Sequence, residues 1–170
     1  MRGWAIYGVA LSCLLPVMAQ GATPKASSEL RDADGKRHTA ALAFDGRLAT
    51  AWAEGQDGDG DGSWLELRLD KTTNIQSVSF WPGNLSGGTR TLREYGRPHT
   101  VTVSLRNGSN TVVEETVRVL DPSKEGPLRV DVPINGSASS VRLTMDQTYS
   151  GGIYNQMYIA EMAVNFTRGE

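Results

Sequence analysis

The feature that most constrains the fold is a series of short segments in which apolar and polar residues alternate. In residues 63–70 (SWLELRLD), Leu65, Leu67 and Leu69 are separated by charged side chains. A period of two places the leucines on one face of a β-strand. Further predicted strands are residues 75–81, 99–106, 110–120, 127–133, 140–147 and 157–166. The sequence therefore predicts an antiparallel β-sandwich or barrel with no long helix.

Turn residues separate these segments, in a chain with 19 glycines and 7 prolines. The dipeptide Asn107-Gly108 lies between two predicted strands and is a strong signal for a β-hairpin. Residues 39–44 (TAALAF) predict one helical turn. Residues 22–30 are expected to lead into a first edge strand.

The amino-terminal residues differ from the rest of the chain. Arg2 is the only charged residue before Lys25, and residues 4–19 (WAIYGVALSCLLPVMA) are almost wholly apolar. Small residues follow, so residues 1–21 are interpreted as a signal peptide and residues 22–170 as one folded domain. The alternative is a membrane anchor, but the apolar run is shorter than the roughly 20 residues of a membrane span.

We therefore expect a secreted or periplasmic protein with no membrane span once the signal peptide is removed. The only cysteine, Cys13, lies in the predicted signal peptide, which leaves the domain without a disulfide. The net charge of −2 provides no basic field for nucleic acid.

Two acidic loops are candidates for cation binding. In residues 43–52 (AFDGRLATAW), Asp45 and Thr50 supply oxygens of the kind that calcium prefers, although a simple capped turn fits them as well. The loop 57–62 (DGDGDG) resembles the start of an EF-hand, but its twelfth position is Arg68 where a glutamate is needed. A flexible calcium loop and a solvated turn both remain open for it.

Glu161 is the third candidate group. It lies among Ile159, Met162 and Val164 in the last predicted strand. A buried carboxylate needs a partner such as an arginine, backbone amides or a metal ion. The alternative is that Glu161 faces solvent.

Residues 81–100 combine flat aromatic side chains with hydrogen-bond donors, which is a combination used in sugar recognition. Ordinary packing and surface charge explain the same residues equally well. The candidate ligand-binding residues are Trp81, Arg93, Tyr95 and Arg97, together with Tyr154 from a later loop.

Signals for catalysis are weak. The two histidines, His38 and His99, lack the spacing of metal ligands, and no nucleophile or phosphate-loop motif occurs. Glu54, Glu66 and Asp70 are the only acids considered for glycoside hydrolysis, and nothing places Glu66 across a cleft from another carboxylate. We expect a protein that is not an enzyme.

Four segments together resemble the NADase-type glycan-binding domain, a member of the galactose-binding-like (discoidin, coagulation factor C-type) group. They are ALAFDGRLATAW, GQDGDGDGSWLEL, RPHTVTV and TYSGGIYNQMYIAEMAVN. The resemblance covers residues 26–166 and points to a bacterial origin. It implies a jelly-roll β-sandwich of about eight antiparallel strands that binds glycans through loops at one end.

The resemblance also implies one structural calcium ion (Ca²⁺). The ligands carried over to this sequence are Asp45, Thr50 and Glu161, with the carbonyl groups of Leu42 and Arg47. Two features depart from the family pattern: Ser63 replaces an acid, and residues 84–96 are expanded in arginine and glycine.

The expected function is a secreted, non-catalytic, lectin-like module whose partner is a glycan or cell-surface carbohydrate. The alternative is a protein-interaction or envelope-structural module of the same fold, and a small glycoside hydrolase is the third possibility.

Overall fold

The structure is a computed structural model that describes residues 21–167. The predicted signal peptide lies outside the described residues except for Gly21. Within the described part of the chain, no helix has the length and apolar character needed to cross a bilayer.

The regular secondary structure of the described residues is almost entirely β-strand. Its helical elements are a 3₁₀ turn (Ala40–Ala43) and one short helix, α1 (Thr89–Glu94). The strands are β1 (Thr23–Ala26), β2 (Leu30–Arg31), β3 (Arg37–His38), β4 (Trp52–Ala53), β5 (Trp64–Pro82), β6 (Arg97–Asn107), β7 (Asn110–Arg118), β8 (Val130–Tyr149) and β9 (Tyr158–Phe166).

Two long, bent strands hold the molecule together. The seven-stranded sheet has the order β4-β9-β5-β8-β6-β7, with β1 on the edge of β5, and every pairing in it is antiparallel. The first part of β5 pairs with β1 on one side and with the second part of β8 on the other. The second part of β8 pairs in turn with β6. The second part of β5 pairs with β9. The sheet therefore folds over on itself, and the prediction of an antiparallel all-β sandwich is confirmed.

One hydrophobic cluster fills the space between the two halves. It contains Leu65 and Leu67 from one part of β5, Phe80 from the other, Val103 from β6 and Ile159 from β9. Each of these side chains is at most 3% exposed. Truncating one such leucine to alanine costs about 2–5 kcal/mol.

The strand boundaries differ from those predicted at two places. Residues 63–70 and 75–81 were expected to be separate strands but fall almost entirely within the single strand β5. Residues 127–133 and 140–147 are likewise joined in β8, which begins at Val130. Asn135-Gly136 lies in the segment expected to separate these two strands as a turn, but Gly136 is instead paired with Ile75 of β5 at the bend. A Cβ atom on Gly136 would lie 3.0 Å from Leu105 Cδ1, so glycine permits a close approach there.

Other local predictions are confirmed. Asn107 pairs with Asn110 at the β6–β7 hairpin, and the helical turn expected at residues 39–44 is the 3₁₀ turn. Helix α1 was not predicted, because six residues are too few for a helical period to be recognised.

Candidate functional site

The first candidate site joins an early turn to the last strand. Gly46 N–H donates to Glu161 Oε2 at 3.2 Å, although the two residues are 115 positions apart. Thr50 Oγ1 lies 2.7 Å from Asp45 Oδ2 and 2.8 Å from the carbonyl oxygen of Arg47. A hydroxyl has one proton to donate, so these oxygens outnumber the protons available to bridge them.

Glu161 is buried at this site without a full set of partners. It is 3% exposed, and its Oε1 accepts no hydrogen bond. Burial, and after it the neighbouring carboxylate of Asp45, raises the pKa of Glu161 to about 7. An ionised carboxylate in such surroundings requires a positive partner.

The donor set at this site fits calcium. Two carboxylates, a hydroxyl and a carbonyl group are the hard oxygen ligands that this ion takes. Leu42, whose carbonyl is a predicted ligand, lies in the 3₁₀ turn that precedes Asp45. Residues 21–167 contain no group of three or more His, Cys, Asp or Glu that could hold a metal ion, so an ion here would depend on hydroxyl and carbonyl oxygens as well.

Trp81 lies next to this first site. It is paired with Glu161 across the β5–β9 ladder, and its neighbour Phe80 points into the core, so Trp81 is on the outer face of the sheet. The guanidinium carbon of Arg129 lies 5.3 Å from the centre of a Trp81 ring. Trp81 is half-buried there.

A second candidate site is formed by three tyrosines, which we call the tyrosine stack: Tyr95, Tyr154 and Tyr158. The rings of Tyr95 and Tyr154 lie 4.8 Å apart at an angle of 19°, and Tyr158 meets Tyr95 edge-on at 4.8 Å. Tyr158 is buried, whereas Tyr154 is 46% exposed. The tyrosine stack therefore extends from the buried ring of Tyr158 to the solvent-exposed ring of Tyr154.

Burial raises the pKa of both Tyr95 and Tyr158. Their hydroxyl groups stay protonated near neutral pH and remain able to donate hydrogen bonds. His38 packs edge-on against Tyr158 at 5.2 Å, and its Nε2 lies 2.8 Å from Asp32 Oδ2.

Arg97 holds the loops around the tyrosine stack in place. Its Nε and Nη2 donate to the two carboxylate oxygens of Asp121 at 2.6 and 2.7 Å. Its Nη1 donates to the carbonyl groups of Tyr95 at 3.2 Å and Ser150 at 3.4 Å. The hydrogen bonds from Arg97 keep the pKa of Asp121 well below its usual range.

A recess of about 440 Å³ lies beside these loops. Gly152 N–H donates to the carbonyl of Arg93 at 2.8 Å, and Tyr154 N–H donates to that of Glu94 at 2.9 Å, so the Tyr154 loop is fixed to the end of α1. The side chains of Arg93 and Lys124 are exposed. The recess is lined by Arg93, Arg97, Ser123, Lys124, Ser150 and Gly152.

The structure thus divides the predicted ligand-binding residues between two places. Arg93, Tyr95, Arg97 and Tyr154 lie around the recess and the tyrosine stack, whereas Trp81 lies beside Glu161. Sequence reasoning missed Asp121, Lys124 and Tyr158. No local pattern distinguishes Asp121 and Lys124 from ordinary turn residues. Tyr158 was predicted only as part of the strand at residues 157–166.

Glu66, the residue considered for hydrolysis, is enclosed by two arginines. Arg68 Nε donates to Oε1 and Arg142 Nε to Oε2, each at 2.9 Å. Burial alone would raise the pKa of Glu66, but these hydrogen bonds lower it below its usual value. Glu66 lines a cavity of about 460 Å³ in which the other lining residues include no second carboxylate.

The bent antiparallel sandwich defines a galactose-binding-like domain of the discoidin type. Residues 19–165 match the family described as NAD glycohydrolase translocation F5/8 type C domain, and the chain belongs to that family. No protein of curated function matches the chain in sequence.

Solved carbohydrate-binding modules share this fold. A family 32 module of Clostridium perfringens in complex with GalNAc-β-1,3-galactose is 19% identical with a TM-score of 0.65, covering 85% of this chain and 94% of that one. The lectin domain of lectinolysin complexed with Lewis B antigen is 17% identical with a TM-score of 0.62, covering 87% and 94%. The family 32 module of C. perfringens NanJ in complex with galactose is 22% identical with a TM-score of 0.58, covering 84% and 92%.

Proposed function

We propose that this domain binds carbohydrate, as a secreted and non-catalytic module, through the recess and the tyrosine stack. The proposal rests on the exposed ring of Tyr154, which is stacked on Tyr95. Gly152, in the same loop as Tyr154, lines the recess together with the exposed residues Arg93 and Lys124. The solved structures of the same fold that hold galactose, GalNAc-β-1,3-galactose or Lewis B antigen support the class of ligand.

Each group has a distinct role in this proposal. The apolar face of a sugar ring packs on Tyr154, and Tyr95 supports that ring from behind. Arg93 and Lys124 donate hydrogen bonds to hydroxyl or carboxylate oxygens of the ligand. Arg97 is a positioning residue, because Asp121 and two carbonyl groups already occupy its donors.

The proposal includes a structural calcium ion held by Asp45, Thr50 and Glu161, with the carbonyl groups of Leu42 and Arg47. The unpartnered Oε1 of Glu161 and the adjacent carboxylate of Asp45 support it. The ion would link the turn at residues 45–50 to β9. In a domain without disulfides, this would substitute for a covalent cross-link.

The surroundings of Glu66 support the proposal that the domain is not catalytic. A general acid for glycoside hydrolysis needs a raised pKa and a second carboxylate across a cleft. The pKa of Glu66 is instead lowered by its ion pairs with Arg68 and Arg142. Export rests on the apolar run at residues 4–19, which is interpreted as part of a signal peptide.

The test is a glycan array probed with the purified protein, in calcium and then in chelator. We expect selective binding that free sugar competes away, that Tyr154→Phe retains, and that Tyr154→Ala weakens by about tenfold or more, equivalent to about 1.4 kcal/mol. A folded protein that binds no glycan would contradict the proposal and would favour a protein partner in the cell envelope.

A further inference from the structure

Glu54 is a buried carboxylate that the proposed sugar site does not use. It directly follows β4 and is 0% exposed. Its Oε2 accepts the N–H of Gln56 at 2.9 Å, but its Oε1 has no partner. Among residues 21–167, Glu161 is the only other carboxylate with a buried, unpartnered oxygen. The same feature that marks the first cation site therefore occurs a second time.

The glycine-spaced loop 57–62 lies directly against Glu54. A Cβ atom on Gly60 would lie 3.0 Å from Glu54 Cγ and 3.4 Å from Cδ, and Gly60 has a φ of +90°. Burial raises the pKa of Glu54, backbone hydrogen bonds partly offset that rise, and the negative charge of Asp59 makes a smaller contribution that raises it. Asp59 directly precedes Gly60, which places it in the part of the loop that packs against Glu54.

Two acceptor oxygens of this loop share a single hydroxyl donor, that of Thr148. Thr148 Oγ1 lies 3.0 Å from the carbonyl oxygen of Asp59 and 3.1 Å from Asp61 Oδ1, and one hydroxyl proton serves only one of them. No lysine or arginine occurs between Arg47 and Arg68. None of the ion pairs in the described part of the chain includes Glu54 or an aspartate of this loop.

We propose that Glu54 and Asp59, with carbonyl oxygens of the loop 57–62, bind a second divalent cation of the calcium type. Calcium takes six to eight oxygen ligands in flexible geometry, which suits a loop with alternating glycines. The site is not an EF-hand, since its buried glutamate precedes the acidic loop and Arg68 occupies the position where an EF-hand has its glutamate. The unpartnered oxygen of Glu54 supplies the ligand that the loop itself lacks.

An ion at this place would also act on the sugar-binding end. A Cβ atom on Gly60 would lie 2.9 Å from Met157 Cβ, and Met157 directly precedes Tyr158 of the tyrosine stack. A cation that orders the loop 57–62 would therefore restrain the start of β9 and the Tyr154 loop before it.

The test is titration calorimetry of the chelator-treated, purified protein with calcium chloride alone. We expect Glu54→Gln and Asp59→Asn each to bind one equivalent less than the wild type. Glu115→Gln, an exposed acid on β7, is the matched control and should bind as the wild type does. Glu161→Gln should also bind one equivalent less, because it removes a ligand of the first site. The double variant, Glu54→Gln with Glu161→Gln, should therefore bind no calcium.

Comparing these variants with Glu115→Gln tests the second site independently of calcium binding at the Asp45–Glu161 site. Asp59 is exposed and its side chain makes only a 3.4 Å contact with Asp61 N, so Asp59→Asn tests the site even where Glu54→Gln disturbs folding. If both variants bind as many equivalents as Glu115→Gln, the second site does not exist. Such a result would leave the Asp45–Glu161 site and the sugar-binding proposal untouched.

Discussion

Arg97 and Asp121 form a bidentate ion pair, in which Nε donates to Oδ1 at 2.6 Å and Nη2 donates to Oδ2 at 2.7 Å. Their side chains are only 7% and 11% exposed. Because Arg97 also donates to the carbonyl groups of Tyr95 and Ser150, the pair connects three loops around the recess. This ion pair, together with the backbone hydrogen bonds of the Tyr154 loop, therefore maintains the shape of the proposed sugar site.

Asp121→Ala is expected to lower the free energy of unfolding by about 3–5 kcal/mol, because it leaves the Arg97 guanidinium buried without its partner. Urea denaturation measures this loss. Arg37→Gln removes the exposed ion pair with Glu29 and is the control, with an expected loss of about 0–1 kcal/mol. Equal effects of the two variants would contradict a structural role for the Arg97–Asp121 pair.

Stability in the absence of cations is expected to fall as the pH rises from 5 to 8. Glu161 has a pKa of about 7 in the folded protein, against an ordinary value of 4.5. Between these values the folded state holds a proton that the unfolded state releases, so this group's contribution is present below the unfolded pKa and is lost as the pH rises through the folded pKa. The loss is about 3 kcal/mol.

Urea denaturation in chelator at pH 5 and pH 8 measures this dependence. Glu161→Gln removes the titrating group and should reduce the difference between the two pH values. Part of the difference should persist in that variant, because burial also raises the pKa of Glu54. A pH dependence identical to that of the wild type would contradict the buried, protonated state of Glu161.

Calcium is expected to raise the melting temperature at pH 8. An ion that binds only the folded state stabilises it by about 2.7 kcal/mol at a concentration of 100 Kd, which corresponds to a rise of about 5–10 °C. Asp45→Ala and Glu161→Ala should each reduce that rise, since each removes a carboxylate ligand of the first site. Asp70→Asn, at an exposed position of β5, is the control. A calcium response that both variants retain in full would contradict this site.

The predictions from local sequence succeeded where neighbouring residues alone decide the conformation. The alternation at Leu65, Leu67 and Leu69 gave the strand, and Asn107-Gly108 gave the hairpin. The same kind of dipeptide occurs at Asn135-Gly136, in a segment expected to be a turn between two strands. It lies instead within the bent β8, where Gly136 pairs with Ile75 of β5. At this bend Gly136 packs against Leu105, and a contact between residues so far apart cannot be predicted from the local sequence.

The candidate sites depend still more on contacts between distant residues. The proximity of Glu161 to Gly46 was expected only from the family resemblance, since no spacing in the sequence relates positions 115 residues apart. An arginine with free donors and one paired like Arg97 look the same in a sequence. Glu54 was considered only as a catalytic acid, because its burial beneath the loop 57–62 depends on how that loop folds back.

Trp81 and Tyr154 are both aromatic candidates for the sugar site, and the structure separates their roles. Trp81 is half-buried under Arg129 and lies opposite Glu161, whereas Tyr154 presents a ring that is 46% exposed. We therefore expect Trp81→Phe to change glycan affinity by less than about twofold, and Tyr154→Ala to weaken it by about tenfold or more. Titration with the best glycan from the array measures both variants. The opposite ranking would move the sugar site to the outer face of β5 and β9, beside the first cation site.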